Sequence, residues 1–168
     1  MGKFYIAILF ACFCLTPVSG AHSSELKVVH TDPEWKNGKG DVPLKGRCAY
    51  RGSGDNLSPP LRVSEIPENA VFLRLMFTDD YFGEEGGHGN LLLKLSGKQR
   101  IIEIPSFSGT SLPKNIIEGN GHHCLGCGPS DYLGPCSGGR YHLYRVNIYA
   151  LDANKNAISR GTVTLGRF

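Results

Sequence analysis

The sequence predicts one mainly β domain, and three observations support this. The chain of 168 residues contains 22 glycines and 10 prolines, which favour frequent turns and short strands. Runs of apolar, β-branched and aromatic residues recur between these turns, and no long segment shows helical periodicity with capping residues. An apolar content of 40% and a charged content of 20% are typical of a globular domain with a real core.

Six segments are predicted as strands, and the most β-like of them, Val71 to Thr78, is expected at the centre of a sheet. The other five are Leu26 to His30, Asn90 to Leu95, Arg100 to Ile104, Tyr141 to Ala150 and Gly161 to Phe168. No internal repeat or linker divides the chain, so residues 21–168 are predicted to form a single domain.

The remaining segments are mostly loops by composition. Arg51 to Pro60 is rich in Gly, Ser and Pro, and Pro105 to Ser130 is a long polar stretch that is either a structured or a functional loop. Leu112 to Glu118 is a candidate for a single helical turn. Trp35, the only tryptophan, is expected to anchor the core.

The segment from Tyr141 to Ala150 alternates, which places His142 and Tyr144 on one face of an extended strand. A loop rich in glycine, residues 134–139, precedes them. An imidazole, a phenol and backbone amides are the groups that a small pocket for an anion needs. The alternative is that His142 lies on the surface and Tyr144 is half-buried, with no ligand at either.

The N-terminal segment is predicted to be a signal peptide covering residues 1–20. Lys3 is followed by the apolar run Phe4 to Leu15, which is too short to span a bilayer comfortably, and small residues before Ala21 suit cleavage there. Cleavage one residue later, leaving an N-terminal His22, and lipid modification at Cys12 are the alternatives. The mature protein is expected to be secreted or periplasmic, with no transmembrane segment.

Four cysteines remain after signal cleavage, namely Cys48, Cys124, Cys127 and Cys136. An even number in an exported chain favours two disulfides, whose connectivity the sequence leaves open. A weaker alternative is a metal site, because the run GHHCLGC places His122 and His123 beside Cys124 and Cys127.

Other functional classes find little support. A formal net charge of +3 without a long Lys/Arg run argues against nucleic acid as a partner. Neither a G-x-S-x-G nucleophile turn nor an H-E-x-x-H metal motif is present. Ser137 beside Cys136 is most simply a loop serine, so the sequence predicts no catalysis and no cofactor.

Three motifs resemble those of the phosphatidylethanolamine-binding proteins, in particular their bacterial Raf kinase inhibitor-like branch. The first is DNLSPPL, and the second is Ile66-Pro67-Glu68 followed by an apolar strand ending at Asp79. The third and most specific is the run of Gly134-Pro135-Cys136, His142-x-Tyr144 and IYALD. The order and approximate spacing agree across nearly the whole mature chain.

This resemblance implies a large central, largely antiparallel β-sheet packed on a smaller sheet, with a few short helices. It also implies a ligand pocket near the surface for phosphate-like anions or phospholipid headgroups. The residues at the matching positions are Asp79, His88, His142, Tyr144, Gly134 and Pro135. The function expected on this basis is ligand binding, and the alternative is inhibition or modulation of a protein such as a protease.

The chain departs from the family pattern around the expected pocket. Tyr81 and Phe82 stand where the family has a Pro-rich segment, Gly89 replaces an aromatic residue, and Ser137-Gly138 replaces two prolines. Since proline fixes the backbone, these changes predict pocket walls of altered shape.

Overall fold

The structure, a computed structural model, describes residues 25–49 and 54–168. The predicted signal peptide at residues 1–20 lies outside the described residues. The strands in chain order are β1 (Lys27–His30), β2 (Leu61–Ser64), β3 (Phe72–Asp79), β4 (Gly89–Lys94), β5 (Ile102–Ile104), β6 (Ile116–Gly119), β7 (Leu143–Leu151) and β8 (Ala157–Arg167). Two short 3₁₀ helices, Pro33–Gly38 and Leu44–Gly46, lie between β1 and β2.

The strands form two antiparallel sheets. The smaller has three strands in the order β1-β2-β5, and the larger has five in the order β6-β4-β3-β7-β8. The predicted fold class, a large antiparallel sheet with a smaller one and few short helices, is confirmed. No helix within the described residues has the length and apolar character needed to cross a bilayer.

The core is built from the alternating side chains that the larger sheet buries. Leu73, Leu75 and Phe77 on β3 lie opposite Ala150, Ile148 and Val146 on β7, and all six are buried. Each of the larger side chains, leaving Ala150 aside, stabilises the fold by about 1.5–3 kcal/mol when it leaves water. The smaller sheet contributes Leu61, Val63 and Ile104 to the same apolar cluster.

Trp35 is confirmed as a core residue, with 1% of its surface exposed in the first 3₁₀ helix. Asp32 caps this helix by accepting a hydrogen bond from the backbone N–H of Glu34 at 3.0 Å. The indole ring stacks on the imidazole of His30 with the ring centroids 5.7 Å apart.

Two local predictions are wrong, and one strand was missed. The candidate helical turn at Leu112 to Glu118 ends in strand β6, which pairs with the edge of β4. Strand β2 was not predicted, because Leu61–Ser64 directly follows the Pro-rich loop and has only two apolar residues. Strand β8 begins at Ala157, four residues before the predicted Gly161, because the turn after β7 is tight.

Candidate functional site

A polar site lies at the end of β3 and the start of β7. There, the buried side chains that face the core change from apolar to polar. The last register pair between these strands is Asp79 opposite Tyr144, and both side chains are buried. His142 precedes β7 by one residue, and His88 precedes β4 by one residue. Because β3 and β4 are antiparallel neighbours, these four residues come together at one end of the sheet.

The alternation predicted along β7 is confirmed, since His142, Tyr144, Val146, Ile148 and Ala150 are all buried. The alternative of a surface His142 and a half-buried Tyr144 is wrong, because they are only 7% and 1% exposed. The rings of Tyr81 and Phe82, in the segment that follows β3, pack against His142.

Asp79 and His142 form the central contact of the site. His142 donates from Nδ1 to Asp79 Oδ2 at 2.8 Å, and the backbone N–H of Tyr81 donates to Asp79 Oδ1 at 2.9 Å. The ring of Tyr81 stacks on the imidazole with the centroids 4.3 Å apart. Both carboxylate oxygens of Asp79 therefore have partners, and one face of His142 is covered by an aromatic ring.

His88 is oriented by the main chain of the loop before β7. Its Nδ1 lies 3.0 Å from the carbonyl oxygen of Leu133, so Nδ1 carries the proton and donates it to that oxygen. Burial lowers the pKa of His88 below its usual value, although the hydrogen bond to Leu133 and the charge of Asp79 oppose this. A neutral imidazole at pH 7 leaves Nε2 as a hydrogen-bond acceptor.

Tyr144 lies between the two histidines, with its ring centroid 5.2 Å from that of His88 and 6.5 Å from that of His142. Its hydroxyl accepts a hydrogen bond from the backbone N–H of Cys136 at 3.2 Å. Burial and the neighbouring Asp79 carboxylate raise the pKa of the phenol. Tyr144 therefore stays protonated and braces the loop at Cys136.

The backbone groups of Gly134 and Pro135 are used within the protein. The N–H of Gly134 donates to Asn56 Oδ1 at 2.6 Å, and the carbonyl of Pro135 accepts from the N–H of Cys48 at 2.9 Å. The first bond joins the GPC segment to the DNLSPPL loop, and the second joins it to Cys48. Of the loop amides at residues 134–139 that were expected near a ligand, those of Gly134 and Cys136 already donate within the protein.

A cavity of about 430 Å³ opens beside this cluster. It contains two carboxylates and two imidazoles together with apolar and sulfur-containing side chains. Its lining residues are Asp79, Phe82, Glu84, Gly87, His88, His123, Cys124, Leu133 and Cys136. Of the predicted ligand-binding residues, Asp79 and His88 line it directly.

His142 lines a smaller adjoining cavity of about 200 Å³, which shares Phe82, Cys124 and Cys136 with the first. Leu125, Ser137 and Arg140 complete its lining. The predicted residues therefore form one connected cluster. However, His88 and His142 line different cavities, which have Phe82 and Cys136 in common.

The outer wall of the larger cavity comes from the loop around residues 121–128, which docks on the segment before β4. The backbone N–H of His123 donates to the carbonyl of Gly87 at 2.9 Å, and its Nδ1 lies 2.8 Å from Glu84 Oε1. Phe82, Glu84 and Leu133 were not identified as lining residues from the sequence. His123 and Cys124, which also line the cavity, were singled out from the sequence, but as candidates for a metal site.

Four cysteines form two disulfides, Cys48–Cys136 and Cys124–Cys127. The metal alternative at His122, His123, Cys124 and Cys127 is therefore wrong, because disulfide sulfurs are not thiolate ligands. Nδ1 of His122 instead accepts a hydrogen bond from the N–H of Cys124 at 3.2 Å. Within residues 25–49 and 54–168, no group of three or more His, Cys, Asp or Glu side chains is placed to hold a metal ion.

Comparison with known proteins connects this architecture to a fold family. No family model matches the sequence. A UPF0098 protein of Methanothermobacter thermautotrophicus is 27% identical over 117 residues, which cover 69% of this chain and 72% of that protein.

Two solved structures are similar over most of their length. E. coli YbcL, a new member of the mammalian PEBP family, matches with a TM-score of 0.61 at 19% identity, covering 84% of this chain and 96% of YbcL. The phosphatidylethanolamine-binding protein homologue CT736 of Chlamydia trachomatis matches with a TM-score of 0.52 at 18% identity, covering 86% and 97%. The resemblance predicted from the three motifs is thus confirmed in three dimensions, and the chain has the fold of the phosphatidylethanolamine-binding proteins.

Proposed function

We propose that this protein is an exported, non-catalytic binding protein for a phosphate-bearing ligand, either a phosphate-type anion or a phospholipid headgroup. One observation carries the proposal: Asp79 and His88 line the same cavity of about 430 Å³, with His142 and Tyr144 packed directly behind Asp79. Concave sites with a few convergent polar groups are the usual places for small ligands.

The charges around the cavity favour a ligand with both signs of charge. Asp79 and Glu84 provide carboxylates that would meet an ammonium group, and His88 and His123 provide imidazoles that would meet a phosphate. Because burial lowers the pKa of His88, its imidazole is neutral at pH 7, and its Nε2 can accept a hydrogen bond from a protonated phosphate oxygen. Because the two carboxylates attract an ammonium group and repel an anion, a headgroup such as phosphoethanolamine fits better than a free anion.

The solved structures with this fold include proteins named for binding phosphatidylethanolamine, which supports the same ligand class. Export is supported by the two disulfides, since such bonds persist in oxidising compartments. The absence of catalysis is proposed because the Ser and Cys side chains that share a cavity with His142 are otherwise engaged: Cys136 is in a disulfide, and the Ser137 hydroxyl donates to the carbonyl of Phe168.

Isothermal titration at pH 6 and pH 7.5 tests the proposal with three probes, namely inorganic phosphate, phosphoethanolamine and a short-chain phosphatidylethanolamine. Phosphoethanolamine is expected to bind more tightly than phosphate, and the lipid arm distinguishes a lipid source from a soluble one. His88→Ala is expected to weaken binding about tenfold or more, since it removes a hydrogen bond to a charged group.

The matched control is His30→Gln, which alters another buried histidine whose pKa is also lowered by burial but which lies on β1 outside the cavity. It is expected to keep wild-type affinity. If the wild-type protein binds none of the three probes, the proposal fails.

A second candidate function, inhibition or modulation of a protein partner such as a protease, is favoured by exposed apolar side chains around the cavities. Phe82, Tyr81 and Leu125 are 68%, 72% and 98% exposed. Clusters of this kind mark interaction sites on soluble proteins. Leu125 belongs to the long segment Pro105 to Ser130, which the sequence predicts to be a structured or functional loop.

A pull-down from the native extracellular fraction tests this candidate by comparing wild type with Phe82→Ser/Leu125→Ser. A partner that is lost from the double variant but kept by Ile101→Ser, which changes an exposed isoleucine elsewhere, supports it. Equal recovery of every partner by all three proteins contradicts it.

A further inference from the structure

The two disulfides differ in almost every respect. Cys48–Cys136 joins residues separated by 88 positions, and Cys48 is 1% exposed. Cys124–Cys127 joins residues separated by 3 positions, and between them lies Leu125, the most exposed large hydrophobic residue among those described. The first cross-link reaches the core at Cys48, while its other partner, Cys136, is half-buried and also lines both cavities. The second joins two half-buried cysteines that flank the exposed Leu125.

A cross-link this short constrains few residues of the unfolded chain. Because the entropic contribution of a disulfide grows with the length of the loop that it closes, Cys124–Cys127 stabilises the fold less than Cys48–Cys136. Its effect is local, on the shape of the loop around residues 121–128.

That loop is a wall of the proposed ligand pocket. Cys124 lines both the cavity of about 430 Å³ and the adjoining one of about 200 Å³. The wall is held to the rest of the site by His123, through the N–H bond to Gly87 and the contact with Glu84. His123 makes both of these contacts, and the cross-link begins at the next residue, Cys124.

The surroundings of Cys124 also suit thiol chemistry. Its N–H donates to Nδ1 of His122, and His123 is the next residue along the chain. The C-x-x-C spacing itself favours the thiolate over the thiol, and a neighbouring imidazole does so when it is protonated. Exposed disulfides are more readily reduced than buried structural ones.

We propose that Cys124–Cys127 is a thiol–disulfide exchange site whose redox state sets the shape of the pocket wall. A thiolate of a dithiol reductant attacks Sγ of Cys127, breaking the S–S bond and releasing Cys124 as a thiolate that takes up a proton. The second thiol of the reductant then displaces Cys127 from the mixed disulfide. The protein gains two electrons and two protons, and the reductant leaves as a disulfide.

Reduction frees the loop, so the wall formed by Cys124 and His123 is no longer fixed before the ligand arrives. A ligand must then order this loop on binding, and its affinity falls. This coupling to affinity rests on the proposed function, whereas the exchange reaction itself does not.

The exchange is tested by treating the native protein with increasing dithiothreitol, trapping free thiols with iodoacetamide and mapping the modified cysteines by mass spectrometry. Cys124 and Cys127 are expected to be labelled under conditions that leave Cys48–Cys136 intact, which serves as the internal control. Release of all four thiols together, in step with unfolding, overturns the proposal.

The coupling is tested by titrating phosphoethanolamine into oxidised, selectively reduced and reoxidised protein. We expect the dissociation constant to rise about fivefold or more on reduction and to return on reoxidation. Cys124→Ser/Cys127→Ser is expected to bind like the reduced protein under all conditions. An unchanged affinity in the reduced protein or in this variant overturns the coupling.

A readout without ligand separates this proposal from the proposed function. If the oxidised protein binds no probe, the proposed function fails, and the wall is then followed by hydrogen exchange at the His123 amide. Faster exchange after selective reduction supports control of the wall by the disulfide. The same exchange rate before and after reduction overturns it.

Discussion

Asp79 and His142 are joined by a buried hydrogen bond of 2.8 Å although 63 residues separate them in the sequence. This bond connects the end of one central strand to the start of the next, and it orients the imidazole beside the pocket. Its partners have side chains only 3% and 6% exposed.

We expect Asp79→Ala to lower the free energy of unfolding by about 3–5 kcal/mol, because it leaves His142 Nδ1 and the N–H of Tyr81 without their buried acceptor. Asp79→Asn should cost less, since its amide oxygen can still accept one of these bonds. Urea denaturation at pH 7 measures both values.

The matched control is Asp80→Ala, which removes the neighbouring carboxylate from a partly exposed pair with Arg145. Surface pairs contribute about 0–1 kcal/mol, so this variant should remain close to wild type. Equal stability of Asp79→Ala and Asp80→Ala would show that the buried bond contributes nothing.

The lowered pKa values of His88 and His30 predict how stability depends on pH. Burial is the main cause of the lowered pKa in both cases. The two rings are therefore protonated at a lower pH in the folded protein than in the unfolded chain, where their pKa is about 6.5. Their contribution to stability is fully present above pH 6.5 and is lost as the pH falls through the lowered folded pKa values.

The free energy of unfolding of the wild type should therefore decrease between about pH 6.5 and pH 5. His88→Gln should show a shallower decrease, because glutamine does not titrate and can still donate to the Leu133 carbonyl. Denaturation curves at several pH values measure the slopes. Identical slopes for the two proteins would contradict the assignment of a neutral His88.

The loop lengths of the two disulfides predict unequal contributions to stability. In the chain-entropy model, Cys48–Cys136 contributes about 4–5 kcal/mol and Cys124–Cys127 about 2 kcal/mol. Guanidinium denaturation of Cys48→Ala/Cys136→Ala and Cys124→Ala/Cys127→Ala compares them directly. A larger loss from the second pair than from the first would contradict this ranking.

Gly134 is predicted to be required for packing. A Cβ at this position would overlap the carbonyl oxygen of Gly46 in the second 3₁₀ helix. Gly134→Ala should therefore destabilise the protein by about 1–3 kcal/mol through overpacking. Gly87→Ala is the matched control, since its nearest heavy atom would be 3.5 Å away, an ordinary contact. Thermal unfolding followed by circular dichroism measures both, and equal melting temperatures would contradict the role given to Gly134.

The parts of the fold that the sequence predicts well are those with a local period. Strand β7 could be placed because its alternation runs unbroken from His142 to Ala150, and β3 because of its dense apolar and β-branched composition. Strand β6 could not, because Ile116–Gly119 is extended through its pairing with the edge of β4.

The candidate site divides in the same way. Asp79, His88, His142 and Tyr144 could be named because they sit at motif positions on or beside strands. Glu84 and His123 could not, because they meet only after the loop around residues 121–128 docks on the segment before β4. Gly134 was expected to serve a ligand, whereas its amide and its missing side chain serve the contact with Asn56 and Gly46.

The tight turn between β7 and β8 lies at the other end of the sheet from the pocket. Asp152 closes it by accepting hydrogen bonds from the N–H groups of Asn154 and Asn156, and the residues between them are exposed. Seven strand residues separate this turn from Tyr144, a distance of about 23 Å. A tether or fluorophore introduced at Lys155 would therefore hold the protein on a surface with its ligand entrance facing the solution.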